Sequence, residues 1–254
     1  SRVPMLVFPL LGLGVPANVN AVNTTKPSLQ AIRARHPTLD WTSETHEQNH
    51  IHAIVHPGDR VLEFGANIGR SSIVAAECAG PHGVVISTEA DPDMRKLAEA
   101  NTASLSNLAI VPAVSDTPLK LAGFGDGNLA DSLGFSKSRN FASERTVSVL
   151  PTQMVSGGEW DVVIADCEGC FTQLVLNYTS VLHKTRAISI EYDDSDQENQ
   201  KKAQAVLASL GFKPSSCVSQ PKDVYRKLSQ KAKALLPPAY TSSCFWAALE
   251  RPIL

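Results

Sequence analysis

The chain has no apolar run long enough to cross a bilayer. Its most apolar stretch, residues 5–16, is interrupted by Pro9, Gly12, Gly14 and Pro16, whereas a spanning helix needs about 20 residues. Acidic residues are absent from the start: none precedes Asp40, while Arg2, Lys26, Arg33 and Arg35 do. Net charge is small. At a formal −2 the molecule exerts no general pull on nucleic acid, which makes a nucleic-acid partner unlikely. The five cysteines are odd in number and scattered, which excludes the dense disulfide framework of a small secreted domain. Cys167 and Cys170 form the one C-x-x-C, and no second pair completes four zinc ligands. A redox pair and half a zinc site are set against buried thiols at a strand end, the favoured reading. One disulfide between Cys217 and Cys244 stays open. There is no internal repeat and no low-complexity tract.

What is present suits one globular domain. The 254 residues, 43% hydrophobic and 19% charged, are enough to bury a sizeable core. Residues 1–40 are rich in Pro, Asn and Thr with little periodicity, so residues 1–45 read as an irregular extension ahead of a single domain over 46–254. The acid-free basic start beside an apolar stretch resembles the neighbourhood of a targeting segment, which implies an intracellular site, an organelle among the options. Residues 1–40 equally suit an arm that docks on a protein partner, or a plain tail.

From Asp59 a β/α rhythm begins. RVLEFG (60–65), GVVISTEA (83–90), LAIVPA (108–113), DVVIADCE (161–168) and RAISIEY (186–192) are short apolar runs that read as buried strands. Helical spacing follows at 69–79, at 91–105 with Pro92 in the first turn, up to Tyr178, and from about Asp196 to Leu210 before Gly211. Alternation of this kind predicts a doubly wound α/β fold with a mostly parallel sheet. FKPSSCVSQ and TSSCFWAALE lack a strong crossover signal and predict an antiparallel edge. Over about 117–150 the pattern loosens into Gly, Ser and Asn, which predicts an inserted hairpin or lid.

The strongest chemical signal is VLEFGANIGR, 61–70, at the junction of the first strand and helix. Gly65 lets the backbone turn and approach a ligand. Asn67 is the non-glycine residue that best tolerates a left-handed conformation. Gly69 lets the helix start tight against the strand. A dinucleotide fingerprint fails in this frame, but E-x-G-x-N-x-G fits another site. Glu63 can accept hydrogen bonds from a ligand's amino group, and Glu89, ending the second strand, can take both hydroxyls of a ribose. Together these suit S-adenosylmethionine.

EFGANIG, STEADP, PAVSD, ADCEG and SIE follow one another in the order found in FkbM-type methyltransferases, which the chain resembles over about Glu47 to Leu210. The resemblance implies a class I methyltransferase (Rossmann-like) fold with a seven-stranded sheet. It also implies S-adenosylmethionine as cofactor and O-methylation of a small-molecule acceptor or sugar. By that resemblance Glu63, Gly65, Asn67, Gly69 and Glu89 hold the cofactor, Asp116 lies near the adenine, and Asp166 and Glu168 face the transferred methyl. Either carboxylate can take the acceptor's proton or order the substrate. Two positions depart from the family: Ile164 stands where a Lys is common and Phe171 where a Glu is common. These departures motivate an alternative, a catalytically silent subunit serving a larger assembly.

Other features carry less. His46, Glu47 and His50 spell H-E-x-x-H, with His56 where a metzincin places a third zinc ligand. Ala53 replaces the helix-breaking glycine of that motif, and only 45 residues precede His46, so a polar helix packed beside the sheet is expected. Glu191, Asp193 and Asp194 crowd the end of the fifth strand and offer oxygen ligands for a divalent ion; a solvated turn and helix cap is the favoured reading, and no metal is assigned. The basic segment 224–236 reads as a solvated surface helix.

Overall fold

The computed structural model describes residues 25–115, 119–122, 144–147, 149–151, 153–156, 158–167, 170–192, 197–218 and 246–251. Two helices come first, α1 (Leu29–Arg35) and α2 (Thr45–Ile54), followed by β1 (Arg60–Phe64), α3 (Arg70–Ala79), β2 (Val84–Glu89), α4 (Pro92–Thr102) and β3 (Leu108–Pro112). A short antiparallel pair, β4 (Leu119–Ala122) and β5 (Glu144–Val147), and the brief helix α5 (Gln153–Ser156) separate these from β6 (Val162–Ala165). Then come α6 (Cys170–Asn177), a single 3-10 turn (Thr179–Leu182), β7 (Ala187–Glu191), α7 (Gln197–Ser209), β8 (Lys213–Val218) and β9 (Trp246–Glu250).

The seven-stranded sheet runs β3-β2-β1-β6-β7-β9-β8. Its first five strands are parallel; β9 runs antiparallel to both β7 and β8. Strand order reverses between β1 and β6, so the mouth beyond their carboxyl ends is a topological switch point, the place where open α/β sheets bind ligands. Within the loosened stretch, β4 and β5 pair antiparallel, Leu119 opposite Val147 and Ala122 opposite Glu144.

Successive side chains of a strand face opposite sides, and the two cores follow that alternation. Val61, Val162 and Ile164 pack with Ile51, Ile73 and Val74 on one face. Leu62, Phe64 and Val163 pack with Leu174, Val175, Ile188 and Leu207 on the other. Both positions that depart from the FkbM pattern belong to these cores. Ile164 lies on the first face, paired in register with Glu63, and Phe171 lies on the second. Each is a packing residue, worth roughly 1.5–3 kcal/mol by burial.

Helix boundaries have local causes. Asp91 caps α4, its carboxylate accepting from the Asp93 N–H at 2.8 Å, with Pro92 in the first turn. Gly211, at φ 87°, follows α7 and lets the chain turn into β8. The reading of residues 1–40 as irregular is corrected by α1. Ser28 caps it, Ile32 is fully buried, and Arg33 and Arg35 bond Gln48 and Glu77. Seven residues show too little periodicity to announce a helix, and tertiary partners hold this one. The apolar stretch 5–16, the basic segment 224–236 and Cys244 lie outside the described residues.

Candidate functional site

The turn between β1 and α3 folds back onto the end of β2. Gly65 has φ 92°, and its N–H and that of Ala66 both donate to the Thr88 carbonyl, at 2.9 and 3.0 Å. A Cβ on Gly65 would lie 1.7 Å from the Asp166 carbonyl oxygen. The turn therefore presses directly on the end of β6. Asn67 takes the left-handed conformation, φ 49°, and Gly69 has φ 92° with Thr102 close by.

Glu89 ties this turn to β2. It is 7% exposed; one carboxylate oxygen accepts the Asn67 N–H at 2.7 Å and the other the Asp91 N–H at 2.7 Å. Burial raises its pKa, and the two amides work against that rise. Each oxygen keeps a second lone pair, so the carboxylate can still accept from a ligand's hydroxyls.

Glu63 points to the α3 side. It is fully buried, and Ser72 on α3 donates to its Oε2. Its Oε1 has no hydrogen-bond partner among the described residues. Burial raises its pKa first of all; the Ser71, Ser72 and Ser87 hydroxyls lower it and Asp166 raises it. The Ser71 and Ser87 hydroxyls lie beside this carboxylate, and Oε1 could accept from a ligand's donor. Asp166 leaves β6 half-buried, its N–H donating to the Phe64 carbonyl at 3.0 Å.

Helix α2 brings two further carboxyls to this mouth. Glu44, just ahead of it, receives Arg70 Nη2 at 2.9 Å; burial raises its pKa and Arg70 lowers it. Glu47 is 4% exposed, and its pKa is raised well above the usual value, by burial first and then by Asp166, Glu44 and Glu63. Arg70, the first residue of α3, is the cation that opposes them.

The H-E-x-x-H helix thus turns its acid, not a zinc ligand set, toward the site. His50 Nε2 meets the Ser216 hydroxyl at 3.0 Å, and His52 Nε2 meets the Pro27 carbonyl at 2.8 Å. Among the described residues no group of three or more His, Cys, Asp or Glu is arranged to hold a metal. Cys167 and Cys170 are joined in a disulfide directly beyond Asp166, which corrects the reading of free buried thiols. Cys217 is also disulfide-bonded. Cys78 is buried and free, its thiol pushed up to about 11 by burial.

Of the residues singled out from sequence, Glu63, Gly65, Asn67, Gly69, Glu89 and Asp166 converge here. Asp116, Glu168, Asp193 and Asp194 lie outside the described residues.

No family model matches the chain. Protein-L-isoaspartate O-methyltransferase 1 from Archaeoglobus fulgidus is 37% identical over 62 residues, 24% of this chain and 29% of that protein. The chain therefore matches less than a third of that relative's length. Among solved structures, the O-methyltransferase TomG from Streptomyces achromogenes, in complex with SAM, aligns over 91% of this chain and 93% of its own, at 12% identity and TM-score 0.48. Ribosomal protein L11 methylase from Lactobacillus delbrueckii subsp. bulgaricus aligns over 85% and 81%, at 15% identity and TM-score 0.48. The sheet itself, with its order β3-β2-β1-β6-β7-β9-β8 and one reversed strand beside an edge strand, decides the architecture. This is the class I methyltransferase fold.

In that fold the turn after β1, the end of β2 and the end of β6 meet at one mouth. Sequence reasoning missed Glu44 and Glu47. Their three-residue spacing puts both on one side of α2's first turn, and that was the signal available.

Proposed function

We propose that this chain is an S-adenosylmethionine-dependent methyltransferase of the FkbM type, acting on a hydroxyl oxygen of a small molecule or sugar. The observation that carries the reading is the buried Glu89 carboxylate locked to the Asn67 amide, which makes the end of β2 and the glycine turn one rigid unit. Glu89 takes the ribose hydroxyls there, and Gly65, Asn67 and Gly69 let the backbone lie against the nucleoside. Glu63, with its open Oε1, fits the amino group of the methionine end. Asp116 is assigned to the adenine side.

When bound, the cofactor supplies an electrophilic methyl on a sulfonium. The chain's own contribution is positioning and proton removal. Asp166, at the end of β6, and Glu168, by the family resemblance, are assigned to the acceptor side. One would order the acceptor hydroxyl and the other would accept its proton once the methyl donor is bound. The insert over 117–150 shapes the acceptor pocket.

A second reading is favoured by one observation: Ile164 and Phe171 are packed into the two cores, so the acceptor half lacks the Lys and Glu common in the family. On that reading the chain binds the cofactor but serves a larger assembly, docking through the segment ahead of α1.

Titration calorimetry with S-adenosylmethionine and S-adenosylhomocysteine tests the proposal. Micromolar binding abolished in Glu89→Ala and Gly65→Val, followed by methyl transfer to a hydroxylated acceptor, is the expected result. Absence of binding in well-folded protein overturns it. Binding without transfer to any hydroxylated acceptor selects the second reading.

A further inference from the structure

A disulfide that closes a short ring acts where it sits, because it removes little freedom from the unfolded chain. Cys167 and Cys170 are separated by three positions in sequence. Linkage makes the small effect mutual. The fold gains little from the bond, the bond gains little from the fold, and the folded chain therefore accepts the reduced pair. Both cysteines are only partly buried, against the core that holds Phe171 and Leu174. Neither is sealed from an exchanging thiol, in contrast to Cys78, which is free and 1% exposed.

The place of the pair gives it a neighbour. Cys167 directly follows Asp166 at the end of β6, and Cys170 is the first residue of α6. The bond thus splices the end of a strand to the start of the next helix, and the Cys170 N–H donates to the Cys167 carbonyl at 3.2 Å. The near side of this ring abuts the glycine turn. A Cβ on Gly65 would lie 3.3 Å from the Cys167 Cα, beside its closer approach to the Asp166 carbonyl. The Asp166 N–H donates to the carbonyl of Phe64, the residue before Gly65, at 3.0 Å. These contacts run backbone to backbone, so no side chain absorbs a shift of Cys167 before it reaches the turn.

We infer that Cys167 and Cys170 form a reversible redox site, exchanging with a dithiol reductant, whose state sets how firmly the glycine turn holds the cofactor. The inference rests on the function proposed above. A thiolate of the dithiol attacks one sulfur of the pair. The sulfur–sulfur bond breaks, a mixed disulfide forms, and the other cysteine leaves as a thiolate and takes a proton from water. The reductant's second thiol then closes on the mixed disulfide and frees the remaining cysteine. Two electrons and two protons pass to the pair, and the reductant becomes a disulfide. Exchange with a disulfide in the medium reverses the sequence. In the oxidised form the ring keeps Cys167 against Gly65. In the reduced form the covalent tie is gone, the end of β6 loosens against the turn, and the ligand is held more weakly. Coupling between two sites is reciprocal, so bound ligand protects the disulfide by the same factor.

The test uses the full chain, S-adenosylhomocysteine as ligand and dithiothreitol as the dithiol. Calorimetry measures ligand affinity of oxidised wild type, of wild type reduced by dithiothreitol, and of the double variant Cys167→Ser with Cys170→Ser. Reduced wild type and the double variant are expected to bind about five-fold or more weakly than oxidised wild type. Dithiothreitol is expected to leave the double variant unchanged, which separates this pair from the disulfide at Cys217. Mixtures of reduced and oxidised dithiothreitol, followed by thiol blocking and mass spectrometry of the peptide that holds both cysteines, give the ratio at half-reduction. Saturating ligand is expected to move that ratio by the same factor as the affinities differ. Equal affinity in the two redox states overturns the inference. So does a pair that dithiothreitol does not reduce in the folded chain, or a loss of affinity in dithiothreitol that the double variant shares. Failure of oxidised and reduced wild type alike to bind, with the circular dichroism of a folded chain, overturns the methyltransferase proposal itself, and the inference with it.

Discussion

Replacing Gly65 by alanine tests whether the glycine turn is a packing requirement or a conformational one. Two costs act together at this position. The left-handed φ of 92° disfavours any Cβ, by roughly 1–2 kcal/mol. The added carbon would also lie 1.7 Å from the Asp166 carbonyl oxygen and 3.3 Å from the Cys167 Cα. Both are backbone atoms at the end of β6, so no side chain can swing aside. Relief requires the turn and β6 to separate, a strain of about 1–3 kcal/mol. The expected total is about 2–5 kcal/mol. Gly58 supplies the control, because its φ is 89° yet nothing lies within 4 Å of its Cβ position. Gly58→Ala should cost only the conformational share, about 1–2 kcal/mol. Urea unfolding of both variants gives the difference directly, provided the slope m is unchanged. Equal destabilisation by the two substitutions would refute the close approach of the turn to Asp166. Loss of about 1 kcal/mol or less in Gly65→Ala would refute both arguments.

Other outcomes follow from features described above. Glu47→Gln should stabilise the ligand-free protein at pH 8, because it removes a carboxyl whose ionisation burial opposes and keeps its shape. The sign follows from the raised pKa: wild-type stability is fully present below the usual glutamate value near 4.5 and declines as pH rises through the folded value, while glutamine does not titrate. Thermal unfolding from pH 4 to 8 should show the gap opening with pH; a constant gap would count against the burial argument. Arg186→Met should cost about 2–4 kcal/mol in urea unfolding, because Arg186 bonds Asp59 at 2.6 Å and the Ile54 carbonyl at 3.0 Å, and its loss leaves the largely buried Asp59 carboxylate without its cation, held by the His56 N–H. The double substitution Cys167→Ser with Cys170→Ser should cost no more than about 2 kcal/mol, because so short a loop constrains the unfolded chain little; a larger loss would assign the disulfide a native-state role in holding the end of β6.

The parallel half of the fold was legible because its strands are buried on both faces and read as continuous apolar runs. The turn was legible for a different reason. Left-handed positions admit few residue types, and Gly65, Asn67 and Gly69 stand at each of them. Glu89 was legible because a strand's end is a fixed place in this architecture. Helix α1 was not, since its stability comes from Arg33 on Gln48 and Arg35 on Glu77, contacts that no local pattern encodes. The direction of Glu47 was hidden for a related reason. Two histidines beside it suggested a zinc motif or a polar helix packed beside the sheet, and the packing of Ile51 and Ile54 shows that the acid turns inward. The pairing of Cys167 with Cys170 needed the backbone geometry beyond β6, where spacing alone fits free thiols equally well.

The reversed strand imposes an order of assembly. Among the described residues β8 pairs only with β9, and β9 links it to β7. Although β8 comes first in the chain, it cannot join the sheet until β9 has been made and has slotted in beside β7. Until then β7 is an open edge of apolar residues, Ala187, Ile188 and Ile190, free to recruit a strand from a neighbouring molecule. The nascent chain is therefore most exposed to aggregation after its cofactor mouth has been synthesised and before its final pairing forms. Substitutions that weaken β9 should appear first as insoluble protein rather than as lost ligand affinity.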